Sequence, residues 1–543
     1  MQFLFRMMLK KLGVTQTHPV TIRKNISVRM PDGAELATDL YLGSPDTRAP
    51  AILIRSPYGI SVLLAAGMAY PLAASGYNVV MQSCRGTFAS TGRFDPHHDE
   101  QRDGLATIEW IKQQPWCDGA IGTYGPSYLG YTQWAVAAAA GPEVKAMGMQ
   151  ATLADFSLMT YMGDSFALEN ALGWTHMVNT MQKPNAMLRL LLQRLTKRPA
   201  ISAAQWRLLP LGSLDEKVAG NRVDFWQDWM QHDTHRDPWW APMNHRRTIP
   251  QVKRSITMAA GWYDIFLPFQ MEDFAALRAA GCDARITIGP WRHQDFGMGH
   301  AGMHESLALF DRQLRGKPAA PPEKPVKLQV IGTQEWRYFD QWPPREARAE
   351  RWHLQPGRML SQQAAPDSAP DTYRYDPADP TPSVGGPALD MVPFSVDNTR
   401  LEARADVITY TSEPMTRQRD IIGPVTAELH VSSTAPSADF FVRLCDVDAN
   451  GVSKNVCDGL QRVRIDAANT PQRVQVQCWP TAYRVAPGHR LRVQVSSGAF
   501  PRWARNPGGT EPIATATRMQ AATQSVHHSA AQPSAIILPF VDS

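Results

Sequence analysis

The sequence predicts an α/β domain interrupted by a helical insertion and followed by an all-β domain of jelly-roll type. Three observations carry this expectation. Short apolar runs of strand length alternate with helical patterns over residues 1–150 and again over 251–316. A stretch rich in Trp and Met, 151–250, separates the two parts and lacks strand character. From Val326 to the end the apolar residues recur with period two instead.

In chain order, Ala51–Ile54 (AILI) and Asn78–Met81 (NVVM) are buried-strand runs, each followed by a Gly- or Pro-bearing loop, SPYG and SCRGTFASTG. Leu105–Ile111 opens a helix, with Asp103 as its expected N-cap. Ala120–Gly125 reads as a strand, Gln133–Ala140 as a buried helix and Val144–Met149 as another strand. Apolar strands alternating with helices imply parallel βα units covered on both faces. Six of the sixteen tryptophans (Trp174, Trp206, Trp226, Trp229, Trp239 and Trp240) fall in 151–250. Large rigid aromatics and adaptable methionines suit a cap lining an apolar pocket, or simply a greasy helical core. Strands resume at Ser255–Ala260, before GWYD, and at Ala284–Ile288, before GPWRH. Residues 317–325, KPAAPPEKP, hold four prolines in nine positions and read as a stiff linker. Beyond it, 326–543 shows alternation at Val425–Val431, Val474–Cys478 and Leu491–Val495, the signature of an antiparallel sandwich. The tail Thr510–Pro533 reads as loop.

Composition excludes several classes. Fifty-five Lys and Arg against fifty Asp and Glu leave +5 over 543 residues, too little for a nucleic-acid partner. Six scattered cysteines without a CxxC pair argue against a zinc grid or a disulfide scaffold. No apolar run is long enough to span a membrane, and MQFLFRMMLKKLG lacks the layout of a secretory signal. It reads as a short amphipathic helix, and the default expectation is a cytoplasmic location.

The chemistry concentrates in GTYGPSYLG, Gly122–Gly130. A strand delivers Ser127 onto a tight turn before a helix, which lifts its hydroxyl clear of the sheet. Gly125 stands two before the serine, but Leu129 occupies the second glycine position and Gly130 follows. Asp264 follows the strand SITMAA, and His293 follows ARITI. The order serine, acid, histidine, each at the carboxyl end of a strand, is that of α/β-hydrolases. His293 would take the proton of Ser127 while Asp264 holds the imidazole tautomer. The amide of Tyr128 is one natural oxyanion donor. Tyr58 in SPYG offers a hydroxyl as the second, or is a packing aromatic beside a turn glycine.

Nearly end to end, the chain resembles the cocaine-esterase-like (CocE/NonD) hydrolases, relatives of the Xaa-Pro dipeptidyl-peptidases and α-amino-acid ester hydrolases. The resemblance runs through MPDGAELATDLY (Met30–Tyr41), RSPYG (Arg55–Gly59), SCRGTFASTGRF (Ser83–Phe94) and EWIKQQPWCDGAIGTYGPSYLG (Glu109–Gly130), and continues through GWYDIF, IGPWRH, EWRYFDQWPP (Glu335–Pro344) and SSGAFPRWARNP (Ser496–Pro507). It implies an α/β-hydrolase with a helical cap and a jelly roll, with Ser127, Asp264 and His293 as triad and Tyr58 beside the Tyr128 amide as oxyanion hole. It implies no cofactor and no metal. The Leu129-Gly130 offset is the family's own form, whereas Cys84 stands where the family commonly has Asp.

The expected activity is cleavage of a small-molecule carboxylic ester or amide through an acyl-enzyme. The alternatives are an Xaa-Pro dipeptidyl-peptidase and a non-catalytic binding protein on the same fold. The peptidase needs a carboxylate for the substrate ammonium, and Asp155, Asp164 and Glu169 are candidates from the cap. A homo-oligomer is compatible with the resemblance, though no periodicity specifies one. Two polar clusters are expected to carry no chemistry. His97, His98, Asp99 and Glu100 read as solvated surface, and Asp446 and Asp448 before Asn450-Gly451 read as a hairpin turn.

Overall fold

The computed structural model describes residues 2–183, 199–318, 324–389 and 393–542. Its organising element is a ten-stranded sheet. The strands are β1 (Thr21–Arg29), β2 (Glu35–Leu42), β3 (Ala49–Ser56), β4 (Asn78–Ser83), β5 (Cys117–Pro126) and β6 (Val144–Gln150). After a two-stranded hairpin, β7 (Tyr161–Met162) and β8 (Ser165–Phe166), the sheet resumes with β9 (Ser255–Tyr263), β10 (Ala284–Arg292), β11 (Val326–Gln329) and β12 (Trp336–Phe339). Their order is β1-β2-β4-β3-β5-β6-β9-β10-β11-β12. The run from β4 through β11 is parallel. Its central members are apolar throughout because helices cover both faces, and every residue of β3 and β4 is buried.

The sheet differs from the expectation at both ends. The first hairpin, β1–β2, pairs antiparallel onto β4, so the amino-terminal edge is not a βα unit. At the other edge, β11 pairs parallel with β10, and β12 pairs antiparallel with β11. Val326–Phe339 therefore completes the first sheet instead of opening the sandwich expected from Val326. Apolar alternation alone cannot say which sheet a strand joins. Residues 319–323 of the Pro-rich segment lie outside the described residues.

Between β6 and β9 lies the cap. It comprises the β7–β8 hairpin, the helices Leu168–Met181 and Asp224–Gln231, and shorter helical turns. Residues 184–198 of the expected cap lie outside the described residues. Trp226, Trp229 and Trp240 are fully buried in its own apolar cluster with Phe166, Leu172 and Met243. After β12 the chain forms an all-β domain whose thirteen described strands make one hydrogen-bonded network. The expected tail loop contains one of them, Ala522–His527, paired with Asp371–Tyr375. The hairpin at Asn450-Gly451 is a turn in which Asp448 accepts from the amides of Asn450 and Val452. At the amino terminus, the helix Gln2–Leu12 buries Phe5, Leu9 and Leu12 on one face. No described helix is long and apolar enough to cross a membrane.

The all-β domain grips the cap and the sheet through backbone. SSGAFPRWARNP supplies much of that grip: Pro501 O accepts from Glu169 N, Ala504 N donates to Phe166 O, and the Trp503 indole donates to Met162 O. Gly163 allows the closest approach, since a Cβ there would stand 1.8 Å from Leu460 O. A chain ended after Pro325 would lose β11 and β12 and expose the apolar edge of β10. It is expected to partition into the insoluble fraction on expression; a soluble monomer with the far-UV spectrum of a folded α/β domain would contradict this.

Candidate active site

Ser127, Asp264 and His293 each stand one residue beyond the carboxyl end of a parallel strand: β5, β9 and β10. Ser127 has φ 58° and ψ −126°, a conformation that non-glycine residues avoid, at the sharp turn into the helix Tyr128–Ala137. That helix starts five residues earlier than expected, directly after the serine. The turn is pinned by the Ser127 amide, which donates to Gln150 O and Ala151 O. Its unusual glycine spacing has a steric cause. A Cβ on Gly125 would lie 2.5 Å from Leu129 Cβ, and one on Gly130 would lie 2.5 Å from Thr152 Cβ. The position two after the serine carries a side chain because Gly125 makes room for it. The close approach to the loop after β6 falls at Gly130.

His293 Nε2 lies 3.0 Å from Ser127 Oγ, and His293 Nδ1 lies 2.8 Å from Asp264 Oδ2. Asp264 is wholly buried. Its Oδ1 accepts from the amide of Phe266 at 2.7 Å, and its backbone carbonyl accepts from the indole of Trp479 in the all-β domain at 3.0 Å. The far domain therefore fixes the loop that carries the acid. Serine, histidine and aspartate form one hydrogen-bonded chain, as their order in the sequence leads one to expect.

Tyr58 stands two residues beyond β3, with its hydroxyl accepting from the Trp174 indole of the cap at 3.0 Å. Burial pushes that phenol up to about 12, against the opposing hydrogen bonds to Trp174 and Ser127. It stays protonated, a donor, at neutral pH. Tyr58, Ser127 and Tyr128 line one pocket with Leu153, Phe156 and Trp229. No carboxylate lines it among the described residues. The three cap acids lie elsewhere. Asp155 accepts from the Ser157 amide and hydroxyl, Asp164 pairs with His235 and Arg236, and Glu169 borders neighbouring cavities.

The stretch His97–Glu100 departs most from expectation. His97 and Glu100 are buried, not solvated. Glu100 Oε2 accepts from Arg55 Nη1 at 2.6 Å, and Glu100 Oε1 accepts from the Tyr128 hydroxyl at 2.7 Å. The His97 amide donates in turn to that hydroxyl at 3.0 Å. Burial keeps the His97 imidazole far below its usual range, hence neutral, and its ring stacks on Phe156 at 3.8 Å in the pocket wall. The helix Glu100–Lys112 begins three residues before Asp103, so that residue is no N-cap. It is fully buried and takes Arg85 through both oxygens at 2.6 and 2.9 Å. One sequence feature pointed to Glu100: Arg55 sits in the otherwise apolar strand AILIRS, and a buried guanidinium demands a carboxylate.

Comparison with known proteins agrees with this architecture. Residues 32–295 match the X-Pro dipeptidyl-peptidase (S15 family) domain, and residues 319–537 match the X-Pro dipeptidyl-peptidase C-terminal non-catalytic domain. The cocaine esterase of Rhodococcus sp. (strain MB1 Bresler) is 31% identical over 579 aligned residues, which cover 96% of this chain and 99% of that one. Among solved structures, an aminopeptidase from a marine sediment Thaumarchaeota archaeon superposes with a TM-score of 0.83 at 22% identity, covering 97% of each chain. An α-amino acid ester hydrolase superposes with 0.81 at 23% identity, covering 96% of this chain and 97% of its own. These two show the shared fold. Fold and relatives together define the class, a serine hydrolase on an α/β-hydrolase scaffold with an all-β partner domain. Within that class the chain belongs to the cocaine-esterase-like, CocE/NonD family.

Two outcomes follow from the buried polar groups. Glu100→Ala strips Arg55 of its close carboxylate and leaves only Asp103, at 3.9 Å, as its ion partner in the interior. It is expected to cost about 3–5 kcal/mol, read as a fall in unfolding free energy in urea; a loss below about 1 kcal/mol would contradict the coupling. His245, whose Nε2 lies 3.1 Å from the Tyr131 hydroxyl, is pushed down by burial from 6.5 to about 4. The unfolded chain protonates it below pH 6.5 while the folded chain does not until about 4. Its contribution to stability is thus complete above about 6.5 and is lost as pH falls toward 4. Urea midpoints between pH 7.5 and 4.5 should fall less steeply for His245→Gln than for the wild type.

Proposed function

We propose that the protein is a carboxylesterase for uncharged esters, with Ser127 as nucleophile, His293 as general base and acid, and Asp264 as the orienting carboxylate. Tyr58 Oη–H and the Tyr128 amide serve as the oxyanion hole. The observation that carries this reading is the contact of Ser127 Oγ with His293 Nε2 at 3.0 Å, on the wall of an apolar pocket. In the first half-reaction Ser127 Oγ bonds to the ester carbonyl carbon as its proton passes to His293 Nε2. The resulting oxyanion takes hydrogen bonds from Tyr58 and Tyr128. Collapse breaks the ester C–O bond, and the imidazolium protonates the departing alcohol. Water then repeats the sequence on the acyl-serine and frees the acid. Asp264 stabilises the imidazolium through its 2.8 Å bond to Nδ1.

The S15 relationship keeps Xaa-Pro dipeptides in view as substrates, but a free ammonium buried in this pocket would need a carboxylate to face it. Asp155, Asp164 and Glu169 all stand outside the pocket lining, so an uncharged ester or amide fits better. Initial rates on phenyl butyrate and on an Ala-Pro anilide test this, with Ser127→Ala as blank. Ester turnover with an inert anilide is expected; comparable anilide turnover would overturn the preference. Activity retained by Ser127→Ala would remove the nucleophile. Tyr58→Phe should lower kcat by about 100-fold.

A further inference from the structure

Trp174 lies on the cap helix Leu168–Met181, yet it touches both residues that flank the proposed nucleophile. Its indole Nε1 stands 3.0 Å from Tyr58 Oη. Its ring runs parallel to that of Tyr128, 6.0 Å between centroids and 5° between planes. Behind it, Phe94, Phe225 and Trp229 hold the ring in place from the cap and from the loop after β4.

The direction of the first contact is fixed by chemistry. An indole N–H can only donate, so the phenol oxygen accepts, and the single phenolic proton is left for another acceptor. Tyr58 and Ser127 line the same pocket, so that proton is available to an acceptor at the reacting centre. Accepting one hydrogen bond also polarises the O–H and makes it a stronger donor. The phenol is buried and stays protonated, so the extra polarisation is spent on donation, not on ionisation.

We infer that Trp174 is a positioning residue for the oxyanion hole: its N–H aims and strengthens the Tyr58 hydroxyl, so that the cap completes the donor pair. This rests on the reading of Tyr58 as an oxyanion donor. The indole contributes nothing to the carbonyl directly; it acts through Tyr58 Oη. The consequence is that the cap helix forms part of the support of the oxyanion hole.

The test replaces Trp174 by benzothienylalanine, which keeps the ring's size and shape and substitutes sulfur for N–H. With phenyl butyrate, kcat should fall about tenfold, the worth of one hydrogen bond, while KM stays within about twofold. The same replacement in a Tyr58→Phe background should leave kcat where Tyr58→Phe alone puts it. An unchanged kcat in the single replacement would overturn the inference, and so would a tenfold loss that persists in the Tyr58→Phe background. If Tyr58→Phe is impaired and Ser127→Ala is dead while the cycle is additive, the esterase reading stands and the role of Trp174 falls. A fully active Tyr58→Phe would remove the donor role itself and the inference with it.

Discussion

One buried carboxylate ties the ends of two strands together. Glu100 accepts from Arg55, at the end of β3 and three residues before Tyr58, and from the hydroxyl of Tyr128, directly after the proposed nucleophile. The two proposed oxyanion donors come from different strand ends, β3 and β5, and a hydrogen-bonded charge in the interior ties those ends into one network. A buried ion pair of this kind gains little net stability over an apolar pair of the same shape. Losing one partner is what is costly. The pair therefore acts as a constraint on geometry: any shift of either strand end strands a charge. The strained serine turn depends on the same kind of over-determination, with its amide bonded to the carbonyls of Gln150 and Ala151 and two glycines leaving room for the side chains of Leu129 and Thr152.

The cap and the all-β domain extend that constraint outward. Trp479 reaches from the sandwich to the carbonyl of Asp264, and the 496–507 loop binds the backbone of the cap hairpin and helix. The cap in turn sets Trp174 against Tyr58 and Tyr128. Neither accessory unit supplies a member of the serine–histidine–aspartate chain, yet each fixes a loop that does or a donor beside it. This gives physical content to a conspicuous motif. SSGAFPRWARNP carries no reacting group; its Arg502 is buried against Asp458 and packed over Trp479 and Trp503, which makes the loop rigid enough to hold the cap.

Much of the site was legible from the chain because its logic is local. Ser127, Asp264 and His293 each follow an apolar run by a residue or a few, and parallel sheets gather such positions at one edge. What stayed hidden depends on partners distant in sequence. His97–Glu100 has the composition of a solvated turn, and only the approach of Arg55 and Tyr128 makes burial of Glu100 tolerable. Asp103 looks like a helix cap until Arg85 is seen to occupy both its oxygens. Val326–Phe339 alternates like the sandwich strands that follow, and its membership of the first sheet rests on an open β10 edge that no local pattern records. Trp174 is one of many cap tryptophans by composition. Its distinction is a single N–H.

Charge counting accounts for the departure at Cys84. The buried cluster behind the site holds two cations, Arg55 and Arg85, and two anions, Glu100 and Asp103. Burial, with Glu100 adding to it, raises the Cys84 thiol well above its usual range, so it stays neutral 3.7 Å from Glu100 Oε2. The cluster is thus balanced as it stands. An aspartate at 84, the residue the resemblance implies, would place a third anion in the same low-dielectric space, at a cost that Arg55 is poorly placed to offset because Glu100 already engages it. Arg85 reaches outward to Asp32 and Asp99 as well, so the surplus negative charge of this loop lies where water can screen it. The thiol at 84 leaves Glu100 as the close partner of Arg55, and the proposed oxyanion donors inherit their positions from that pairing.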